Sequence, residues 1–243
     1  MKAQAIGLSH KGYCRKKNED SYHIDEKNQM FILCDGMGGA LGGEIASALA
    51  VKTIQEEMTQ TDEGKEPSEK LKQAFERANY AVWQKGQTDE TVRGMGTTAT
   101  AAWLCGDRLF TAHVGDSSLF LFRDGNGTKL TCDHTVAERL RQEVHSSNPE
   151  EFSTYAHVLT RALGMEKDVA VDVFSNPLKT GDRLVLSSDG LTNMMTLDEI
   201  RAVACSAEGM REKAEKLIQT ALERGGYDNI TVIFVQIQEG DRS

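Results

Sequence analysis

Residues 30–36 read MFILCDG, a run of apolar side chains that ends in an aspartate and a glycine. The same arrangement recurs at residues 184–190 (LVLSSDG) and 109–116 (LFTAHVGD), and residues 228–235 (DNITVIFV) show it in reverse. Short apolar runs bounded by turn residues are typical of β-strands. The sequence therefore places four aspartates where a strand begins or ends, and these are Asp35, Asp116, Asp189 and Asp228.

Two pairs of helices are predicted, one before and one after the strands in the middle of the chain. Apolar residues at helical spacing indicate two successive helices near residues 43–58 and 68–86, joined by a polar loop over residues 59–69. Two more helices are expected near the C-terminus. The first begins with a capping box, Thr196-x-x-Glu199, and the second ends at the glycine pair 225–226.

The middle of the chain has the pattern of a β-meander. Strands are predicted over residues 97–104, 109–114 and 119–123, with turn signals at Gly106-Asp107 and Asp124-Gly125 between and after them. Strands and helix pairs follow one another in blocks rather than in strict alternation. This order predicts an α+β fold in which antiparallel sheets are covered by helix pairs.

The composition is that of a folded domain. The chain has 243 residues, 39% hydrophobic and 27% charged, so we expect one domain over residues 1–243. A net charge of −9 opposes sequence-independent binding to nucleic acid. The chain has neither a signal-peptide core nor a membrane-length apolar run, so no membrane association and a cytoplasmic location are expected. Five scattered cysteines predict neither disulfides nor a zinc site, and Cys34 and Cys105 are expected in the core.

Carboxylates at strand ends are positioned by a rigid backbone yet reach solvent. Oxygen ligands of this kind suit Mg²⁺ and Mn²⁺, which keep several waters and need few carboxylates. A glycine after the aspartate lets the backbone approach closely, so the carbonyl of Gly36 is a further candidate ligand. A turn is the better explanation of any single Asp-Gly pair taken alone. Four such sites, together with the acidic pair Glu19-Asp20, predict a carboxylate-rich metal site.

At these residues the chain resembles the protein phosphatase 2C family, the metal-dependent serine/threonine phosphatases, in its compact bacterial form. Seven motifs in the family's order carry the resemblance and span nearly the whole chain. The resemblance implies an α/β/β/α sandwich, in which two antiparallel sheets lie face to face with helices outside. The motifs are RKKNED (15–20), DGMGG (35–39), GMGTT (94–98), GDS (115–117), LTCDH (130–134), SDGL (188–191) and DNIT (228–231).

The resemblance also implies a site with two divalent cations, Mn²⁺ or Mg²⁺. Asp35 would bridge the two ions. Asp189 and Asp228 would complete the ligands of the first ion. The second ion would take the carbonyl of Gly36 and water molecules.

Four further elements match the family. Glu19 or Asp20 would hold the waters of the second ion. Asp116, with Asp189, matches the residues that hold a third, weaker ion in bacterial relatives. Arg15 matches the family's phosphate-binding arginine and is, with Asp35, an expected catalytic residue. The polar segment 135–154 falls where the family has its variable flap.

The implied reaction is hydrolysis of phosphoserine and phosphothreonine by a hydroxide that bridges the two ions and attacks phosphorus in line. Arg15 would contact two phosphate oxygens with its planar guanidinium group. Two positions depart from the family: Met37 replaces the histidine proposed as general acid in many eukaryotic members, and Ser118 replaces a frequent arginine. Phosphorylated proteins are the implied partners, together with a serine/threonine kinase of the same cell and its targets.

Other interpretations stay open at the level of sequence. A non-catalytic module that binds phosphorylated partners could keep the fold, although the complete acidic set argues against it. A hydrolase of small phosphoesters or phosphodiesters would need the same metals. Without its motif, Arg15 is better explained as a surface arginine among Lys11, Lys16 and Lys17. Asp116 is also explained as a turn aspartate before Ser117.

Overall fold

The structure, a computed structural model, describes residues 1–37, 42–60, 64–145, 148 and 151–240. Gly38 and Gly39 of the DGMGG motif lie outside the described residues, as do residues 146–147 and 149–150 of the predicted flap. In the part of the chain that is described, no helix combines the length and the apolar character that crossing a membrane requires.

Two sheets form the centre of the molecule, and neighbouring strands in both are antiparallel. The first sheet contains, in spatial order, β1 (Lys2–His10), β11 (Ile230–Gln238), β10 (Arg183–Ser187), β7 (Ser118–Arg123) and β8 (Asn126–Lys129). The second contains β2 (Asp20–Asp25), β3 (Met30–Met37), β5 (Ala99–Cys105), β6 (Arg108–Val114) and β9 (Asp172–Pro177), and the short strand β4 (Gly96–Thr97) pairs with β3.

Helices cover the outer faces of both sheets. The described residues contain α1 (Gly43–Thr59), α2 (Pro67–Thr88), α3 (Val136–Glu143), α4 (Asp189–Thr192), α5 (Leu197–Ala204) and α6 (Met210–Glu223), with 3₁₀ turns at Glu90–Val92 and Ser153–Tyr155. α1 and α2 share a hydrophobic cluster with the second sheet. α4, α5 and α6 share another with the first sheet.

The side chains of β3 show how the layers are held together. Met30, Ile32 and Cys34 pack in the cluster with α1 and α2. Phe31 and Leu33, which alternate with them, pack in a third cluster between the two sheets. Because both faces of the strand are buried, its sequence is continuously apolar rather than alternating. The predicted α/β/β/α sandwich is confirmed.

Most predicted elements are present, with small corrections. The two helices predicted near 43–58 and 68–86 are α1 and α2, and α5 begins with the predicted capping box. The loop predicted over residues 59–69 ends earlier, because Pro67 begins α2 at a position where its missing N–H costs nothing. Cys34 is buried as expected, but Cys105 at the end of β5 is exposed, so that prediction was wrong.

The predicted β-meander was also wrong. β5 and β6 form a hairpin in the second sheet, whereas β7 and β8 form one in the first. The chain crosses between the sheets at residues 115–117. Gly115 has φ +110°, and a Cβ atom there would lie 2.6 Å from the buried side chain of Thr98. The apolar pattern does not reveal the crossing, because strands on either side of it are mostly buried.

The close packing of Gly115 at this crossing, next to Asp116, can be tested by substitution. Gly115→Ala should destabilise the protein more than Gly125→Ala, whose position has φ +77° and open space within 4 Å of where a Cβ atom would lie. We expect about 1–2 kcal/mol for the control, from backbone strain alone. We expect about 1–3 kcal/mol more at Gly115, from the clash with Thr98. Urea unfolding measures both, and equal losses would contradict the account.

Candidate active site

A cavity of about 600 Å³ opens at the edge of the sandwich where strands of both sheets end. Seven of the eight site residues predicted from the sequence line it; Asp20 does not. The cavity is lined by Arg15, Glu19, Asp35, Gly36, Met37, Thr98, Asp116, His157, Val158, Leu159, Asp189 and Asp228. Five of the seven matching motifs contribute the predicted residues, although they are far apart in the chain.

Asp35 is held near the end of β3 by the adjacent threonines. Its backbone N–H donates to Thr98 Oγ1 at 2.9 Å, and its carbonyl accepts from Thr98 N–H and from Thr97 Oγ1, each at 2.8 Å. Thr98 Oγ1 is also 2.7 Å from Ser117 Oγ. The GMGTT motif thus connects Asp35 to the crossing that carries Asp116.

Gly36 lies where backbone segments meet. A Cβ atom on Gly36 would be 2.2 Å from the carbonyl oxygen of Gly43 and 2.6 Å from that of Glu19. Gly43 is the first residue of α1, and a Cβ there would lie 2.8 Å from the Glu19 carboxyl carbon. Only glycine permits this approach, which brings the Glu19 carboxylate to the start of α1, the end of a helix that favours negative charge.

Asp189 and Asp228 come together from two neighbouring strands of the first sheet. Asp189 opens α4 shortly after β10, and Asn193 Nδ2 donates to its Oδ2 at 3.1 Å. Asp228 precedes β11, and its Oδ1 accepts the backbone N–H of Asn229 at 2.8 Å. A Cβ on Gly190 would be 2.0 Å from the Asn229 carbonyl oxygen, so the SDGL and DNIT motifs pack against each other.

Asn229 fastens the loop that carries Arg15 and Glu19. Its Oδ1 accepts the Glu19 N–H at 2.8 Å, and its Nδ2 donates to the carbonyls of Lys11 and Lys17 at 2.8 and 2.9 Å. The side chain is 4% exposed. One buried amide therefore sets the position of the RKKNED motif relative to Asp228.

Glu19 and Asp20 have different surroundings. Glu19 lines the cavity, whereas Asp20 Oδ2 accepts hydrogen bonds from Ser188 Oγ at 2.8 Å and Thr231 Oγ1 at 2.6 Å. Asp20 Oδ1 is buried and has no hydrogen-bond partner among the described residues. Burial raises the pKa of Asp20 to about 7, and these two hydrogen bonds oppose the rise. Asp20 thus braces the strands behind the cavity with one oxygen left unbonded.

Arg15 reaches over the cavity from the exposed loop. Its Nη2 donates to Asp228 Oδ2 at 2.6 Å, and its side chain is 52% exposed. This hydrogen bond is the main reason that the pKa of Arg15 is raised. Among the described residues of the cavity lining, Arg15 is the only lysine or arginine, so it balances one of five carboxylates there.

Burial and the carboxylate charges that Arg15 does not balance raise the pKa values of three aspartates in the cavity. Burial, followed by the charge of Asp189, raises the pKa of Asp116 to about 7. Burial, then the charges of Asp20 and Asp189, raises the pKa of Asp35 well above its usual range. Burial and the charge of Asp228 also raise the pKa of Asp189. Crowded carboxylates with raised pKa values are stabilised by a cation.

The donor set fits hard divalent cations. It consists of carboxylate oxygens and, at Gly36, a backbone carbonyl, which are ligands of Mg²⁺ and Mn²⁺ rather than of softer metals. In the described part of the chain, no three acidic, histidine or cysteine side chains already surround one point that an ion could occupy. Arg15 Nη2 lies 2.6 Å from Asp228 Oδ2, so one oxygen of this candidate ligand is engaged by the arginine.

A model of the family described as Protein phosphatase 2C matches residues 8–225. The chain belongs to the protein phosphatase 2C family. It is 35% identical over 241 residues to Protein phosphatase PhpP of Streptococcus pneumoniae, with 96% of this chain and 97% of that protein covered. It is 33% identical to Serine/threonine phosphatase stp of Listeria innocua, with 93% and 92% covered.

Solved structures agree with this family membership. The crystal structure of the Mycobacterium tuberculosis serine/threonine phosphatase PstP/Ppp superposes with a TM-score of 0.91 and 32% identity, covering 98% of this chain and 100% of that one. A structure of the PstP catalytic domain in complex with 2 manganese ions gives 0.88 and 33%, covering 98% and 99%.

In this phosphatase 2C chain, the sequence predicted neither His157 at the cavity nor the structural role of Asn229. His157 lies at the cavity, 67% exposed, with its Nδ1 4.0 Å from Asp189 Oδ2. It lies in none of the seven motifs, and only its place after the predicted flap pointed to it. Asn229 was part of the DNIT motif, but its role was not foreseen because its partners are backbone groups of a distant loop.

The role of Asn229 can be tested with Asn229→Ala. The change removes three part-buried hydrogen bonds, to the carbonyls of Lys11 and Lys17 and from the N–H of Glu19, so we expect a loss of about 2–3 kcal/mol in the free energy of unfolding. Because Arg15 and Glu19 are freed, KM for a phosphoester should also rise. Asn28→Ala, in an exposed turn, is the control and should change neither. Unchanged stability and KM in Asn229→Ala would exclude the tethering role.

Proposed function

We propose that this phosphatase 2C chain hydrolyses phosphoserine and phosphothreonine in proteins, with water as the nucleophile and divalent cations as cofactors. The observation that carries the proposal is the single cavity in which Arg15 and five carboxylates meet. Membership of a phosphatase family supports the reaction type, and the names of the relatives support serine/threonine specificity.

Two ions of Mn²⁺ or Mg²⁺ are the proposed cofactors. Asp35 and the Gly36 carbonyl would hold them with Asp189 and Asp228. Glu19, beside the start of α1, would hold water molecules of the second ion. Asp116, with Asp189, would hold a third ion. When bound, such ions supply an activated water molecule and positive charge for the phosphoryl oxygens. A structure of the related PstP contains 2 manganese ions.

Arg15 is the proposed phosphate-binding residue. Its guanidinium group is exposed at the cavity and can present two N–H donors to phosphate oxygens. Asp228 holds the group in place before the substrate arrives. Arg15 therefore contributes both binding of the ground state and stabilisation of the charge that develops during transfer.

The reaction needs no phosphoenzyme, so no cysteine or serine nucleophile is required. Met37 lines the cavity where many eukaryotic members have a histidine. Phosphorylated proteins are the substrates in this proposal, and a serine/threonine kinase of the same cell is the partner that would supply them. The cytoplasmic location and the single domain over residues 1–243 stay predictions.

The proposal is tested by Asp189→Asn, which keeps the side chain's size but weakens it as a cation ligand. We expect kcat/KM for a phosphothreonine peptide with Mn²⁺ to fall by at least about 100-fold, since even residues that only support metal ligands cost 10–100-fold. The Mn²⁺ affinity, measured by calorimetry, should fall as well. A chelator should abolish the wild-type activity, and added Mn²⁺ should restore it.

Asp198→Asn is the matched control, because Asp198 is 85% exposed on α5 and does not line the cavity. It should behave like the wild type in both assays. Near-normal turnover and Mn²⁺ binding in Asp189→Asn would contradict the metal assignment. Hydrolysis of small phosphoesters without any hydrolysis of phosphopeptides would contradict the substrate class.

A further inference from the structure

A second cavity, of about 420 Å³, adjoins the catalytic one. Both cavities are lined by Met37 and Leu159. The second continues along the segment that follows the flap, where Met165, Glu166, Asp168 and Val169 line it. We call it the flanking groove. A molecule that fills the catalytic cavity can extend into this groove without leaving the surface.

The wall of the flanking groove is fixed by a buried asparagine. Asn79 of α2 is 1% exposed, and its Oδ1 accepts the backbone N–H of Gly164 at 2.8 Å. Its Nδ2 donates to the carbonyls of Glu166 and Lys167 at 3.1 and 2.9 Å. Gly164 has φ +90°. These bonds hold the turn against α2, so the groove is formed before any ligand binds.

The floor of the groove is apolar. Met165 is 51% exposed although it is a large hydrophobic residue. Its sulfur lies over the backbone of Gly96, 3.2 Å from where a Cβ atom would be. Met37, Leu159 and Val169 are half-buried beside it. Methionine is a flexible and polarizable side chain that adapts to different apolar partners.

The rim of the groove is acidic. Glu166 and Asp168 are exposed, and neither forms an ion pair with any residue that the structure describes. Arg161 also lines the groove, but its Nη1 is bound to Asp172 Oδ1 at 2.6 Å, so its charge is already matched. Lys167, between Glu166 and Asp168 in the chain, is exposed but does not line the groove, so the described lining itself presents two unpaired carboxylates beside an apolar floor.

We propose that the flanking groove binds the residues next to the phosphorylated residue of a substrate protein, and selects an apolar side chain together with a lysine or arginine. The inference rests on the proposed function, because it places the phosphate in the catalytic cavity. An extended peptide spans about 3.3–3.6 Å per residue, so the neighbours of the phosphorylated residue reach the adjoining groove. Opposite charges at the rim then favour basic substrates.

The test compares two phosphothreonine peptides that differ only in their flanking residues, one with leucine and lysine and the other with leucine and glutamate. p-Nitrophenyl phosphate, which is too small to reach the groove, is the third substrate. We expect kcat/KM of the wild type to be about three- to tenfold higher for the lysine peptide. This is the size of effect expected when its lysine forms exposed ion pairs with Glu166 and Asp168. The preference should shrink in high salt.

The double variant Glu166→Gln/Asp168→Asn should lose this preference through a higher KM for the lysine peptide, with an unchanged rate on p-nitrophenyl phosphate. Glu90→Gln/Asp198→Asn removes two exposed carboxylates elsewhere and should keep the preference.

Equal kcat/KM values for the two peptides in the wild type would overturn the groove proposal, as would a preference that survives in the double variant. Hydrolysis of p-nitrophenyl phosphate without hydrolysis of either peptide would contradict the substrate class of the proposed function, and the groove proposal with it. Loss of all hydrolysis, including that of the small ester, would instead overturn the proposed function and the groove proposal with it.

Discussion

Mutual repulsion among carboxylates is the constraint on which this structure depends. Asp35, Asp116, Asp189 and Asp228 face one cavity from four different segments, and Arg15 alone among the described lysines and arginines reaches into it. The fold must hold these groups together against their own charge. Burial, and after it the charges of neighbouring aspartates, raise the pKa values of Asp35, Asp116 and Asp189, so part of each rise comes from this repulsion. Divalent cations would also offset it, since bound cations are often the largest charges in a site.

Uncharged groups provide the force that opposes the repulsion. Thr97 and Thr98 bind both backbone groups of Asp35, and Asn229 ties the Arg15 loop to Asp228. Glycines at Gly36 and Gly190 let the backbone segments approach within distances that any side chain would prevent. Behind them lie strands with both faces buried, which make each strand end a rigid support. The proposed metal site therefore depends on packing and backbone hydrogen bonding as much as on the carboxylates themselves.

The sequence was sufficient for the layers of the fold and for most of the cavity. Continuous apolar runs such as residues 30–34 predict buried strands. The order of the seven motifs, through the family resemblance, then implies the sandwich. The sequence was insufficient for the crossing at Gly115, because strands in either sheet share the same apolar pattern. The sequence did not predict where β1 and β9 begin and end, because most of their residues are only partly buried and lack a clear apolar run. His157 was missed because its place near Asp189 results from a contact between distant segments, which no local pattern encodes.

Asp20 shows a different limit. Its motif placed it beside Glu19 as an alternative holder of water, but strand pairing directs the two side chains to different surroundings. Side-chain direction follows from register, which a motif does not contain.

The central claim is that the carboxylates gathered at Asp35 hold a pair of divalent cations. The most direct measurement is an anomalous-difference map from crystals of the protein grown with Mn²⁺. The account predicts two peaks about 3.5–4 Å apart, with Asp35 between them and Asp189, Asp228 and the Gly36 carbonyl within about 2.0–2.3 Å of one or the other. A map with no manganese peak within bonding distance of Asp35 would contradict it.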